Sequence, residues 1–230
     1  MKKSDKVKAH FEEESAEFDE IIRKLIPHYK DMINALISSI PFEHDAPVKV
    51  LDLGCGTGTV TKTLKEEFKK ADVTCLDLAE NMIEMAKIKL KDYNDIEYVI
   101  GDFYDYNFTE KYDVIVSSLA LHHLATDEDK KGFYKKIYEA LRHGGIFLNA
   151  DAVLGSSKYL QDLYTSTWKK FMNQSISMEE IEKKWIPAAE EEDHPAKLID
   201  HIDWLRDTGF KDVDVIWKYY HLAVYGGYKQ

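Results

Sequence analysis

At 230 residues and 44% hydrophobic content, with no apolar run long enough to span a bilayer, the chain is sized for one domain with a large core. A net charge of −11 argues against a broad nucleic-acid footprint, which needs a basic face, although a small local basic patch stays open. Two cysteines, Cys55 and Cys75, speak against a disulfide framework, and Met1-Lys2-Lys3-Ser4-Asp5 lacks the apolar core of a signal peptide, so a cytoplasmic location is expected.

Residues 1–46 precede the first strand. Helices are predicted over Val7–Ile26 and Tyr29–Ile40, with Pro27 marking the break. Phe11, Phe18, Ile21, Ile22 and Leu25 recur at helical spacing, which fits an amphipathic helix packed on the domain or a lid over a ligand. The apolar run Val48–Leu53 reads as a buried parallel strand that turns at Gly54, Gly56 and Gly58 into a helix over Thr59–Lys70. Glycines let the backbone approach a ligand closely, and the amide end of the helix faces the turn. The G-x-G-x-x-G dinucleotide frame does not close, because its sixth position is Thr59 from Gly54 and Thr61 from Gly56. There is also no Gly-Lys-Ser/Thr of a phosphate loop.

A second strand, Val73–Leu76, ends in Asp77. An acid about 20 residues past such a turn accepts protons from ribose hydroxyls in two-layered nucleotide folds; the alternative is an N-cap for a helix over Ala79–Lys91. The third strand, Ile96–Ile100, leads into Gly101-Asp102-Phe103, with Asp105 a weaker competitor for the same corner. The fourth, Tyr112–Ser117, runs into Ser118-Leu119-Ala120-Leu121-His122-His123-Leu124. Neither N/D-P-P-Y/F/W nor a Pro-Cys pair follows it. His122 and His123 are candidate bases near neutral pH, with His123 preferred, against a structural or packing role.

Asp127 is read as the cap of a helix to Arg142, ended by Gly144-Gly145, and Ile146–Ala150 as a fifth strand closing on Asp151. Residues 155–195 break the alternation with charged helical sequence that carries Trp168, Phe171 and Trp185. A helix over Ala196–Thr208 ends at Gly209, and strands Val213–Trp217 and Leu222–Tyr228 follow.

The run D-x-G-x-G-x-G from Asp52 resembles the first motif of the class I S-adenosylmethionine-dependent methyltransferases. Leu141–Phe147 (L-R-x-G-G-x-F) resembles their third motif, and Trp217–Gly227 their closing strand pair; the resemblance covers residues 7–230. It implies an α/β, doubly wound, Rossmann-like seven-stranded sheet of order 3-2-1-4-5-7-6 with the last strand antiparallel. It also implies S-adenosyl-L-methionine as cofactor, S-adenosyl-L-homocysteine as product, and methyl transfer to a small acceptor by in-line displacement. The implied cofactor contacts are Asp52, Gly54, Gly56, Gly58, Asp77, Leu78 and Ser118, with Asp102 and Phe103 at the adenine. His123 or Asp151 would take a proton, and no metal ligand is assigned.

Phe18-Asp19-Glu20 and Ile26-Pro27-His28-Tyr29 resemble the N-terminal segment of carboxy-S-adenosylmethionine synthase and its relatives, the group that leads to transfer-RNA wobble-uridine modification. That match makes Tyr29 a candidate contact for the methionine end of the cofactor. The synthase holds its extra carboxylate with a lid arginine, whereas the corresponding stretch here is Glu182-Lys183-Lys184-Trp185, which favours the unmodified cofactor. Residues 1–46 are thus read as a lid and 155–195 as a substrate-covering insertion, with His122, Trp168, Phe171 and Trp185 as candidate substrate contacts. A carboxy-S-adenosylmethionine synthase-like enzyme, a transfer-RNA modifying enzyme and a non-catalytic regulatory subunit remain alternatives. No membrane partner is expected, and a homodimer is left open.

Overall fold

The computed structural model describes residues 18–102 and 104–230. Its strands are β1 (Lys49–Leu53), β2 (Asp72–Asp77), β3 (Ile96–Ile100), β4 (Tyr112–Ser118), β5 (Leu141–Ala152), β6 (Lys211–Tyr219) and β7 (Leu222–Tyr228), in the order β3-β2-β1-β4-β5-β7-β6. The first five pair in parallel, and β7 runs antiparallel to both β5 and β6. This is the predicted doubly wound sheet.

Both faces of the sheet are covered, so the central strands are apolar throughout rather than alternating. Side chains on one strand still alternate between faces. Val50, Val73 and Val114 lie in a cluster with Met32, Val60, Leu64 and Ile83 from helices α2 (Tyr29–Ser38), α3 (Thr59–Glu67) and α4 (Glu80–Lys89). Leu51, Ile115 and Phe147 face the opposite side, against Phe133, Ile137 and Leu205 from α5 (Asp127–Ala140) and α8 (Leu198–Thr208). Among the described residues, no helix is long and apolar enough to cross a membrane.

The predicted first helix is described only from Phe18, as α1 (Phe18–Leu25); residues 7–17, including Phe11, lie outside the described residues. Past Pro27 the chain turns through His28 at φ 55°, a left-handed conformation that lets α2 leave in a new direction. Trp168 on α6 (Lys158–Met172) donates its indole N–H to the carbonyl of Leu25 at 2.7 Å, fastening the end of α1 to the insertion. Residues 178–192 form one helical stretch: a turn at Met178–Glu180, a π-helical segment Ile181–Trp185, and α7 (Ile186–Glu192). The π segment places Ile181 and Trp185 in one small core with Met172 and Ile176.

Two details of the predicted helix over 127–142 are corrected. The N-cap is Thr126, whose hydroxyl accepts from the Asp129 amide at 3.1 Å, while Asp129 accepts from the Thr126 amide, a reciprocal capping box. The helix also ends at Ala140, so Gly144-Gly145 does not cap it. Both glycines sit inside β5; a Cβ on Gly145 would lie 2.9 Å from the Asp113 carbonyl oxygen, so Gly145 permits close strand approach at a register shift beside β4, while Gly144 adopts φ 81° with open space beside it.

Candidate active site

The carboxyl ends of β1, β2, β3 and β4 open on one cavity of about 120 Å³. Gly54 and Gly56 form its floor in left-handed conformations (φ 69° and 52°). A Cβ placed on Gly56 would meet no atom within 4 Å, so the space beside this backbone belongs to the cavity. Gly58 is different: it does not line the cavity, and its absent Cβ makes room for Leu90 and Ala86 on and beyond α4.

Asp77 and Leu78, at the end of β2, line the same cavity. The Asp77 carboxylate accepts the Gly56 amide at 2.8 Å and the Ala79 amide at 2.9 Å, so it ties the glycine turn to the start of α4. The N-cap of α4 is Ala79 and carries no side-chain cap bond, so Asp77 is not the helix cap; its carboxylate braces the turn on the cavity wall. Burial raises its proton affinity, and the backbone amides work against that rise.

Asp102, Ser118 and Tyr29 also reach the wall, and Tyr104, which no motif marks, stands beside Asp102. Tyr104 is held there by the Ala125 amide, which donates to its hydroxyl at 2.8 Å. Phe103 lies outside the described residues. Asp52 is not on the wall. Strand alternation puts it on the Val50 face, where its carboxylate accepts the Thr61 hydroxyl at 2.6 Å and burial pushes its pKa up to about 7.

A second, larger cavity of about 390 Å³ adjoins the first, sharing Phe18, Ile22, Leu119 and His123. Trp168, Trp185, Tyr164 and His221 line it. Phe171 does not; it packs against the small core around Met172, as Trp168 also does, without reaching the cavity wall, and it is not placed as a substrate contact.

His122 lies on the wall of the second cavity only, whereas His123 lies on both. Asp151 reaches neither cavity. It sits behind His122, its Oδ1 2.5 Å from His122 Nδ1, and it also accepts the amides of His122 (3.1 Å) and Ala152 (2.9 Å) and the Asn149 side chain (3.3 Å). As a proton acceptor from substrate it is therefore out of reach, and its geometry is that of a group positioning His122. Asp193, from the loop after α7, closes the other side, with its Oδ1 3.4 Å from both His122 Nε2 and His123 Nδ1.

Burial opposes charge on His122, but the two flanking carboxylates outweigh it and hold the ring protonated well above its ordinary range. Burial, reinforced by the charge on His122, pushes His123 down to about 4. Asp193, 70 residues from His123, had no local sequence signal. Nor did the polar ladder behind Asp151, where Asn149 donates to Tyr225 (2.9 Å) and Tyr134 meets His201 (2.6 Å).

The first cavity carries an orphaned group that suits a polar ligand. Ser118 Oγ is buried without a hydrogen-bond partner among the described residues. With the open face of Gly56 and the acids at the ends of β2 and β3, the donor and acceptor set fits a nucleoside carrying an amino-acid tail.

Residues 50–145, which carry this turn and these strand ends, match the family model for the methyltransferase domain. Through this domain the chain is similar to the class I S-adenosylmethionine-dependent methyltransferases, enzymes that use S-adenosylmethionine. Along almost its whole length it is similar to carboxy-S-adenosyl-L-methionine synthase from Nautilia profundicola, with 28% identity over 95% of this chain and 94% of the relative. An uncharacterized methyltransferase from Staphylococcus carnosus is 34% identical across 63% of this chain and 64% of its own length. Among solved structures, the DhpI-SAM-HEP complex aligns with a TM-score of 0.65 at 17% identity, over 95% of this chain and 94% of that one, a likeness of fold.

Proposed function

We propose that the enzyme methylates a small acceptor held in the second cavity, with S-adenosylmethionine held in the first. The observation that carries this reading is the shared wall. Leu119 and His123 border both cavities, so a ligand in each would meet there. The cofactor supplies an electrophilic methyl group on its sulfonium.

The chain's own contribution is alignment and exclusion of water. Asp77 would accept the ribose hydroxyls, Asp102 and Tyr104 would border the base, and Tyr29 and Ser118 would meet the remaining polar atoms. Phe18, Ile22 and Trp168 would enclose the acceptor with α1, and residues 155–195 would act as its cover. His123 is the one candidate base, of the two proposed from the sequence, that reaches both cavities.

The test is calorimetry with S-adenosylmethionine and S-adenosylhomocysteine, followed by acceptor screening with detection of S-adenosylhomocysteine. Binding that NADH does not compete, and turnover of a small hydroxyl, amine or thiol compound, are the expected results. Failure of the folded protein to bind either nucleoside would overturn the reading.

A carboxylated sulfonium cofactor is the second reading, favoured by the Nautilia relative. Against it, neither cavity is lined by a lysine or arginine among the described residues, and the protonated His122 on the second wall is already flanked by Asp151 and Asp193. Mass spectrometry of the nucleoside that co-purifies separates the two: a carboxylated species would replace the first reading with the second.

A further inference from the structure

We propose that His122, His123 and Asp193 form a binding site for a first-row divalent cation of the zinc type on the wall of the acceptor cavity. Three observations converge on it.

The first is spacing. His122 Nε2 and His123 Nδ1 each lie 3.4 Å from Asp193 Oδ1, and the three donor atoms fall within 4.8 Å of one another. Tetrahedral bonds of about 2.0–2.1 Å set ligand atoms about 3.4 Å apart. The two distances to Asp193 match that spacing and are long for hydrogen bonds; His123 Nδ1 also lies 3.4 Å from the Glu192 carbonyl oxygen, a contact that cation binding would replace.

The second is the support behind the ligands. Asp151 engages His122 Nδ1, leaving Nε2 as the nitrogen that faces Asp193. A carboxylate behind a ligating histidine fixes ring orientation and raises ligand basicity. Asp151 is itself held by two backbone amides and Asn149, so this support is rigid. On the other side, the His194 amide donates to the His122 carbonyl at 2.8 Å, pinning the Asp193 loop to the histidine pair.

The third is charge and access. Asp151 and Asp193 both face one imidazole ring, and a dication bound between His122 and Asp193 displaces the Nε2 proton to solvent and takes over the balancing of the two carboxylates. All three ligands line the second cavity, so a fourth position opens toward the acceptor. Two nitrogens and one carboxylate with an open position suit zinc and its neighbours better than magnesium or calcium, which prefer all-oxygen sets. Three protein ligands are also the arrangement of sites that coordinate water or a substrate atom. Taking an acceptor oxygen in that position rests on the methyl-transfer reading above; the binding of the cation does not.

The experiment uses the full-length protein stripped with a chelator, titrated with Zn²⁺ by calorimetry and with Co²⁺ by visible absorption. The expected result is one Zn²⁺ per chain and Co²⁺ bands of tetrahedral intensity. Asp193→Asn and His123→Gln should each lower affinity at least tenfold, and Asp151→Asn by about 10- to 100-fold. His143→Gln, at an exposed histidine elsewhere on the surface, should leave it unchanged. Circular dichroism confirms that each variant is folded, and Asp193→Asn, on a half-buried loop, serves where a buried histidine variant does not fold. No stoichiometric binding, or binding that survives both Asp193→Asn and His123→Gln, overturns the proposal. S-adenosylhomocysteine binding in the same calorimeter reads the first cavity separately, so the two proposals fail independently.

Discussion

Replacing Asp77 by alanine tests the nucleoside site where the geometry is tightest. Its carboxylate is 9% exposed and accepts two backbone amides, at 2.8 Å from Gly56 and 2.9 Å from Ala79. Removal leaves both amides without that partner, at about 1–3 kcal/mol for each group that water does not reach. The gain from no longer burying a carboxylate offsets part of this. A net loss of about 1–3 kcal/mol in the unliganded protein follows, and for a chain of this size each kcal/mol lowers Tm by roughly 2–4 °C.

Ligand binding should lose more than this. A ribose would forfeit a charged acceptor, about 1.5–3 kcal/mol, which is roughly 10- to 150-fold in Kd. Calorimetry with S-adenosylhomocysteine and melting curves with and without it separate the two effects. Asp77→Asn keeps the side-chain volume and should fall between wild type and alanine in both. A lowered Tm with unchanged Kd would refute the ribose role and leave Asp77 as a tie for the turn alone.

Gly58→Ala should cost about 1–3 kcal/mol of stability. The site has φ 83° and the new Cβ would lie 2.8 Å from Leu90 Cδ1, so an unchanged Tm would contradict the packing role. Trp168→Ala should raise acceptor KM with little change in S-adenosylhomocysteine affinity, whereas Phe171→Ala should lower Tm with acceptor KM retained; the reverse pattern would misplace the acceptor. His201 and His221 are both held near pKa 4, chiefly by burial, against an ordinary value of 6.5. The depressed value means their contribution is complete above pH 6.5 and is lost as pH falls toward 4. Denaturant titrations should show about 3 kcal/mol lost per histidine across that window, and His221→Leu should flatten the slope.

Motifs that depend on backbone order were readable in the sequence. The glycine turn and the acid closing β2 come from local pattern and spacing, while the strand order and the role of Asp102 came with the family resemblance. What escaped depended on directions that spacing does not encode. Asp52 belongs to the glycine motif, yet pleat parity turns it toward Thr61 and away from the cavity. Trp168 and Phe171 are three residues apart on α6 and both pack against the small core, yet only Trp168 also reaches the cavity wall. Asp193 meets His122 and His123 only because the chain returns from the insertion, and the His122 ring stands in front of Asp151, a direction that sequence position does not encode. The cap at Thr126 was missed for a smaller reason, since Asp127 and Thr126 are both good capping residues.

Helix α1 gives Phe18 and Ile22 to both cavities, and between them Asp19 clasps the glycine turn. Its carboxylate takes the Thr57 hydroxyl at 2.6 Å and the Lys89 ammonium at 2.5 Å, and Lys89 in turn donates to Thr57 and Thr59. On the two-cavity reading proposed above, a nucleoside leaving the first cavity past this clasp would require α1 to swing away, which would also remove a wall from the second cavity. Loading and discharge then acquire a compulsory sequence: nucleoside first in, nucleoside last out. Steady-state inhibition by S-adenosylhomocysteine should be competitive with S-adenosylmethionine and noncompetitive with acceptor. Asp19→Asn, by loosening the clasp, should speed nucleoside dissociation more than it slows association.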